Sequence, residues 1–302
     1  MLTLAHMSDP HLSPLPKPRL RQLCNKRLIG FLSWQLNRKH QHQRDVLDVL
    51  CTDLKAQNPD HVALTGDLAN ISLPDEFTQA QAWLTALGSG DWISVIPGNH
   101  DAYVPKTLPL GLDAWHDYMT SDADARHFLP AGEVNFPYIR LRDKIALIGT
   151  STAVPYPPWI ARGKLGEDQI KRLAEILQKL GDAKYFRVLM IHHPPLPGQN
   201  HWRKALADAK ALQEVLSKVG VELVLHGHNH TSMQTSLETT TGKAAVIGVP
   251  SASKAQDTHK PAARYNLYRI TKKGKAWKCL MTERAYNPVT NEFREIRSME
   301  LL

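Results

Sequence analysis

Ile96-Pro97-Gly98-Asn99-His100-Asp101 is the stretch that decides how the rest of the chain is read. It ends an apolar run, residues 92–96, that reads as a short buried strand, and its Pro-Gly pair turns the chain into a loop carrying three polar side chains. Four further stretches repeat the arrangement. Ser8-Asp9-Pro10-His11 follows Leu2–Met7, Thr65-Gly66-Asp67 follows His61–Leu64, Ile191-His192-His193-Pro194 closes the run 185–191, and His226-Gly227-His228-Asn229-His230 follows 221–225. An α/β sheet keeps its functional groups in the loops at its strand ends, so Asp, His and Asn from five loops are expected on one rim.

Helical periodicity fills the gaps between these strands. Residues 45–56 place Val46, Leu47, Val49, Leu50 and Leu54 on one face, and a second helix is expected from Pro74 to Gly88 with acidic residues in its first turn. Further helices are expected near 112–119, over 165–180 with Gly181 as its stop, and near 204–219. The strand-loop-helix rhythm predicts an α/β fold. Residues 136–141 and 144–150 read as a hairpin turning at Arg142-Asp143, which implies a second sheet, and the strands 244–249, 265–271 and 276–283 within the C-terminal stretch 244–302 are expected to complete the two sheets. Nothing in the 302 residues reads as a repeat, linker or break in composition, so a single domain, 1–302, is expected.

Charge is concentrated in one place. Lys17, Arg19, Arg21, Lys26, Arg27, Arg38, Lys39 and Arg44 lie between Pro10 and Arg44 with no Asp or Glu among them; removing these eight from the 37 Lys and Arg leaves 29 against 29 acidic residues. Three prolines open this stretch, and Leu20, Leu23, Leu28, Phe31, Leu32 and Leu36 then recur at mostly helical spacing, with Gly30 as an expected break. Residues 14–44 thus read as a basic amphipathic insertion beside the rim. Three cysteines, Cys24, Cys51 and Cys279, do not suggest a disulfide framework, and the rim begins at Asp9, which leaves no room for a secretory signal. The expected location is the cytoplasm, with peripheral contact at the inner face of a membrane through residues 17–44.

Singly the rim motifs are weak, because Asp-x-His or Gly-Asp more often caps a loop than binds a metal. Gly227-His228-Asn229-His230 is stronger, since glycine admits close backbone approach and two imidazoles two residues apart can face different ions. Taken together and in order, Asp9-x-His11, Gly66-Asp67, Gly98-Asn99-His100-Asp101, His192 and Gly227-His228-x-His230 resemble the motif set of the calcineurin-like metallophosphoesterases, over roughly residues 1–250. The His192–Pro195 run further resembles bacterial phosphodiesterases of the class III cyclic-nucleotide type.

The resemblance implies a four-layer α/β/β/α sandwich of two mixed sheets with a binuclear metal site at strand ends. One ion would take Asp9, His11, Asp67 and His230, the other Asp67, Asn99, His192 and His228, with Asp67 bridging. Oxygen and imidazole donors without thiolate suit Mn, Fe, Zn or Mg, with manganese or iron favoured. The implied reaction is attack of a metal-bridging hydroxide on a phosphodiester. His100 would protonate the leaving oxygen or stabilise the transition state, Asp101 would orient the His100 ring, and His193 would act as a supporting or substrate contact. His40, His42 and His201 are read as surface or packing residues.

The loop Gly66-Asp67-Leu68-Ala69-Asn70 lacks the Asp-Arg-Gly element of protein phosphatases, so a Ser/Thr protein phosphatase is not expected. The basic insertion raises an alternative substrate, an anionic amphiphile such as a UDP-acylglucosamine, cleaved at its diphosphate under the insertion as a lid. Nucleic acid is not the expected partner, because aromatic residues for base stacking are sparse. A metal-free, non-catalytic scaffold of the same fold is disfavoured by the occupation of every motif position.

Overall fold

Strand β1 (Leu2–Met7) enters the fold buried along almost its whole length. The structure is a computed structural model and describes residues 1–132, 134–255, 261–274 and 276–302. After β1 come α1 (Arg27–Ser33), α2 (Lys39–Gln41), α3 (Arg44–Ala56), β2 (His61–Leu64), α4 (Pro74–Leu87), β3 (Ile93–Val95) and α5 (Leu108–Ala114). There follow β4 (Tyr138–Arg142), β5 (Ile145–Gly149), α6 (Glu167–Asp182), β6 (Phe186–Met190), α7 (Ala209–Val219), β7 (Leu223–His226), β8 (Met233–Thr239) and β9 (Gly242–Gly248). Three long strands close the chain: β10 (Arg264–Lys273), β11 (Ala276–Asn287) and β12 (Glu292–Glu300).

Two six-stranded mixed sheets result, in the orders β12-β11-β10-β1-β2-β3 and β4-β5-β6-β7-β9-β8. In the first, β1, β2 and β3 are parallel and β10 runs antiparallel to β1. In the second, β5, β6, β7 and β9 are parallel, flanked by antiparallel β4 and β8. Side-chain alternation along β6 shows how the layers stack. Phe186, Val188 and Met190 enter the core shared with β1, β2 and α3, whereas Leu189 and the following Ile191 enter a second core with Leu173, Ile176, Leu177 and Leu180 of α6 and Leu212 and Leu216 of α7. The layers are therefore helix, sheet, sheet, helix, as expected.

Several expectations shift at their edges. The helix over 165–180 starts at Glu167 and runs through Gly181 to Asp182, and the helix near 204–219 starts only at Ala209. The helix near 112–119 is instead α5 followed by a 3₁₀ turn, His116–Tyr118. β8 and β12 were not anticipated: β12 is exposed at most positions and β8 at several, so neither offers an apolar run to read.

The insertion departs most. Gly30 does not break it, and α1 passes through a π-helical turn, Trp34–Arg38, directly into α2. Gly30 is there for contact, because a Cβ at this position would stand 2.7 Å from both Ile71 and the Tyr103 hydroxyl. That close seat, with Trp34 buried beside Leu15, Ile71 and Leu73, fixes the insertion against the loop that follows β2.

Candidate metal centre

The parallel strands of both sheets end on the same side, and their loops bring the motif residues together. From the first sheet come Asp9 and His11 after β1, Asp67 after β2, and Asn99 and His100 after β3; from the second come His192 after β6 and His228 and His230 after β7. The loops after β1 and β2 continue to pair beyond the strands, with the Asp9, His11 and Leu12 N–H groups donating to the carbonyls of Gly66, Asp67 and Leu68. Bonds also cross between the sheets, among them the His228 N–H donating to Asp9 Oδ2 at 3.0 Å and His192 Nδ1 bonding the Thr65 carbonyl at 2.7 Å.

Five of the seven expected ligands hold positive φ without being glycine: Asp9 (51°), His11 (38°), Asp67 (57°), His228 (70°) and His230 (54°). Such backbones are uncommon outside glycine and gather where function holds them. Gly98 serves the same crowding, since a side chain there would collide with the Asp67 carboxylate.

The candidate donors fall into two sets. His11 Nε2 lies 3.3 Å from His230 Nε2, 3.7 Å from Asp67 Oδ2 and 4.0 Å from Asp9 Oδ1, and His230 Nε2 lies 3.1 Å from Asp9 Oδ1. His192 Nε2 lies 3.2 Å from Asn99 Oδ1 and 3.5 Å from Asp67 Oδ2, and His228 Nδ1 lies 2.8 Å from Asn99 Oδ1. Asp67 Oδ2 belongs to both. Donors bound to one ion at about 2.1 Å stand roughly 3.0–3.4 Å from each other in octahedral or tetrahedral shells, so both sets are spaced as ion shells with modest slack.

Tautomers and charge agree with that fit. His11 Nδ1 and His192 Nδ1 face backbone carbonyls of Ala69 and Thr65, which makes them protonated nitrogens and turns both Nε2 atoms toward the carboxylates. Burial alone would raise the carboxyls of Asp9 and Asp67, yet His230 beside the first and His192 beside the second hold both below the ordinary carboxylate range. Burial would likewise lower His192, but Asp67 outweighs it and holds the imidazole up to about 9. The paired carboxylates thus draw positive charge to themselves, as a cation site must.

Sequence reasoning missed Arg38. Its Nη1 is 3.3 and 3.4 Å from the two ring nitrogens of His100, and its Nη2 is 3.1 and 3.2 Å from those of His11. Near-equal distances to both nitrogens put each guanidinium nitrogen over a ring face and not in line with a lone pair. Burial first, and Arg38 next, then favour neutral rings: His11 falls well below its ordinary value and His100 to about 4. The π-helical turn carries this side chain into the cleft, a register that simple helical spacing does not forecast.

His42, read as a surface or packing residue, packs inside the site itself. It is buried, stands edge-on to His11 and His230 with ring centres 4.5 and 5.5 Å away, and is held through Nδ1 by the Ser253 hydroxyl. His193 is fully engaged by protein, with Nε2 on the Ala161 carbonyl and Nδ1 on the Thr152 hydroxyl, and so supports the site from behind. The expectation for Asp101 is also corrected. Its buried carboxylate accepts the backbone N–H groups of Asp67, Ala69 and Gly98, and the His100 ring is oriented instead by the Asn70 carbonyl at 2.5 Å from Nδ1 and by Tyr103 stacked at 5.6 Å.

The family model described as calcineurin-like phosphoesterase matches residues 2–232. The chain belongs to that family. It is a metal-dependent phosphoester hydrolase, and enzymes of the family generally bind two divalent metal ions. Among curated proteins it is similar to a glycerophosphodiester phosphodiesterase, GpdQ, of Enterobacter lignolyticus (strain SCF1), with 27% identity over 244 residues, 78% of this chain and 73% of that protein. Among solved structures the fold is similar to a dimetal phosphatase from Danio rerio, at a TM-score of 0.62 and 14% identity covering 98% of both chains. It also resembles the purple acid phosphatase PPD1 of yellow lupin (Lupinus luteus), at a TM-score of 0.53 and 13% identity over 99% of this chain and 53% of that one.

Asp101→Ala is expected to lower the stability of the fold by about 3 kcal/mol or more, since it leaves three buried backbone donors unpaired at about 1–3 kcal/mol each. Urea unfolding monitored by circular dichroism measures this. Unchanged stability with a loss of turnover alone would return Asp101 to a direct role at His100.

Proposed function

We propose that the chain hydrolyses phosphodiesters with two ions held in the two donor sets, one by Asp9, His11, Asp67 and His230 and the other by Asp67, Asn99, His192 and His228. The observation that carries this reading is Asp67 Oδ2, which lies 3.7 Å from His11 Nε2 and 3.5 Å from His192 Nε2 and so is common to both shells. Hard oxygen and imidazole donors suit manganese or iron, with zinc and magnesium also compatible. When bound, the ions would supply Lewis acidity, neutralisation of phosphoryl charge and activation of a water-derived nucleophile at neutral pH.

The protein's own residues then do the positioning. In the proposed complex the anionic ester offsets Arg38 and favours a protonated His100 ring, which keeps Nδ1 on the Asn70 carbonyl and donates from Nε2 to the leaving oxygen. Arg38, over the His11 and His100 rings, would neutralise a non-bridging phosphoryl oxygen. The cleft above the donors has a volume of about 550 Å³. It has an apolar wall that includes Ile29, Tyr156, Trp159 and Ile160, and cationic side chains at Lys26 and Lys204. Room for a substituent on either side of the phosphorus supports a diester over a monoester, in keeping with the diester named for the GpdQ relative.

The same apolar wall favours a second substrate reading, an anionic amphiphile such as a UDP-acylglucosamine cleaved at its diphosphate. The proposed location is the cytoplasm, where Cys24, Cys51 and Cys279, all free, remain reduced.

Assays of manganese-loaded protein separate these readings. Bis(p-nitrophenyl) phosphate is expected to be turned over faster than p-nitrophenyl phosphate, and a panel of 2′,3′- and 3′,5′-cyclic nucleotides, a glycerophosphodiester and a UDP-acylglucosamine ranks the natural classes. Preference for the monoester would overturn the diester reading. Elemental analysis is expected to give two ions per chain, with Asp67→Asn depleting both because their shared carboxylate loses its charge; full occupancy in that variant would remove Asp67 from the bridge. His100→Asn should keep the metals and lower kcat by roughly 10²–10⁴ on alkyl esters, with a smaller loss on nitrophenyl esters whose leaving group needs no proton. Loss of metal in His100→Asn would instead make it a ligand.

A further inference from the structure

The helical stretch of the insertion is turned the wrong way round for a surface helix. Its buried side holds Arg27, Gly30 and Trp34, with Arg38 in the cleft, while Leu28 (46% exposed), Ile29 (38%), Leu32 (51%) and Leu36 (74%) face outward. At about 100° per residue these four fall within about 100° of one another, so they form one stripe. The arginines are committed to the protein: Arg27 Nε donates to the Ile71 carbonyl at 3.0 Å and its Nη2 to the Ser72 carbonyl at 2.5 Å, while Arg38 covers His11 and His100. A contiguous aliphatic stripe left facing water on a helix whose other side is anchored marks a surface that meets something apolar.

The rest of the surroundings name the partner. Trp159 stands 77% exposed with φ 64° in the loop that forms the opposite side of the cleft, and that loop is tied to the insertion by Lys26 Nζ on the Tyr156 carbonyl at 2.7 Å. An amphipathic aromatic ring and an aliphatic stripe that meet at one cleft through Trp159 and Ile29, with Lys17, Arg19, Arg21 and Lys39 exposed on the same segment as the stripe, match the composition of a lipid-interface surface. No Asp or Glu occurs between Pro10 and Arg44, so the segment complements an anionic surface and repels its own copy. We infer that the outer face of residues 28–36, together with Trp159, docks onto an anionic lipid bilayer. Both sides of the cleft mouth then rest on the membrane, and an ester can pass from the lipid phase along Ile29 to the metal centre.

Co-sedimentation of the full chain with vesicles tests this without any turnover. Binding is expected to equimolar phosphatidylcholine and phosphatidylglycerol, to be much weaker to phosphatidylcholine alone, and to fall with added salt. Leu28→Ser, Leu32→Ser and Leu36→Ser combined, none of which lines the cleft, should reduce the partition coefficient by about tenfold or more while hydrolysis of a small soluble diester stays unchanged. Vesicle binding by that variant equal to the native chain, or no binding by the native chain, overturns the inference. A native dimer in sedimentation velocity that the triple variant converts to monomer also overturns it, and assigns the stripe to a second copy.

Discussion

The centre depends on one buried carboxylate that touches no substrate. Asp101 gathers the backbone donors of Asp67 and Ala69 from the loop after β2 and of Gly98 from the loop after β3. Three amides converging on one anion fix the relative positions of two strand ends more tightly than the strands alone could, since β3 is only three residues long. The Asp67 carboxylate then sits where its Oδ1 accepts the His100 N–H at 2.7 Å and its Oδ2 is left for the imidazoles. Burial first, and the neighbouring Asp67 next, push Asp101 up to about 7, so the converging amides offset the cost of a buried carboxylate.

A second buried acid does similar work on the outer side. Glu76, in the first turn of α4, accepts the N–H groups of Asn70, Ile71 and Leu73 and so shapes the loop whose Asn70 carbonyl holds His100. The insertion closes on that same loop through Arg27 and Trp34. The site is thus layered: acids fix backbone, backbone fixes imidazoles, and the insertion covers them. Positive φ at five expected ligand positions is affordable only in such an over-determined setting.

Much of this was legible in the sequence, because strands leave an unbroken apolar run and the motif residues sit immediately after each run. Asp9, His11, Asp67, Asn99, His192, His228 and His230 needed no tertiary knowledge to be grouped, and the structure does bring them together. What sequence could not show arises from tertiary placement. Arg38 reaches the cleft through a π-helical turn that shifts the helical register, His42 is buried by Ser253 from more than two hundred residues away, and Asp101 bonds to amides that carry no residue signature. β8 and β12 are edge strands with solvent on much of their length, so polar and apolar residues mix there without a readable period.

The donor sets divide unevenly between the sheets. The first set draws Asp9, His11 and Asp67 from one sheet and His230 from the other, while the second draws Asp67 and Asn99 from one and His192 and His228 from the other. Neither sheet holds a complete shell, so any ion bound there is also a rivet through the seam between two halves of the chain. Ion binding would then add to the cohesion that the shared apolar core already gives the two sheets.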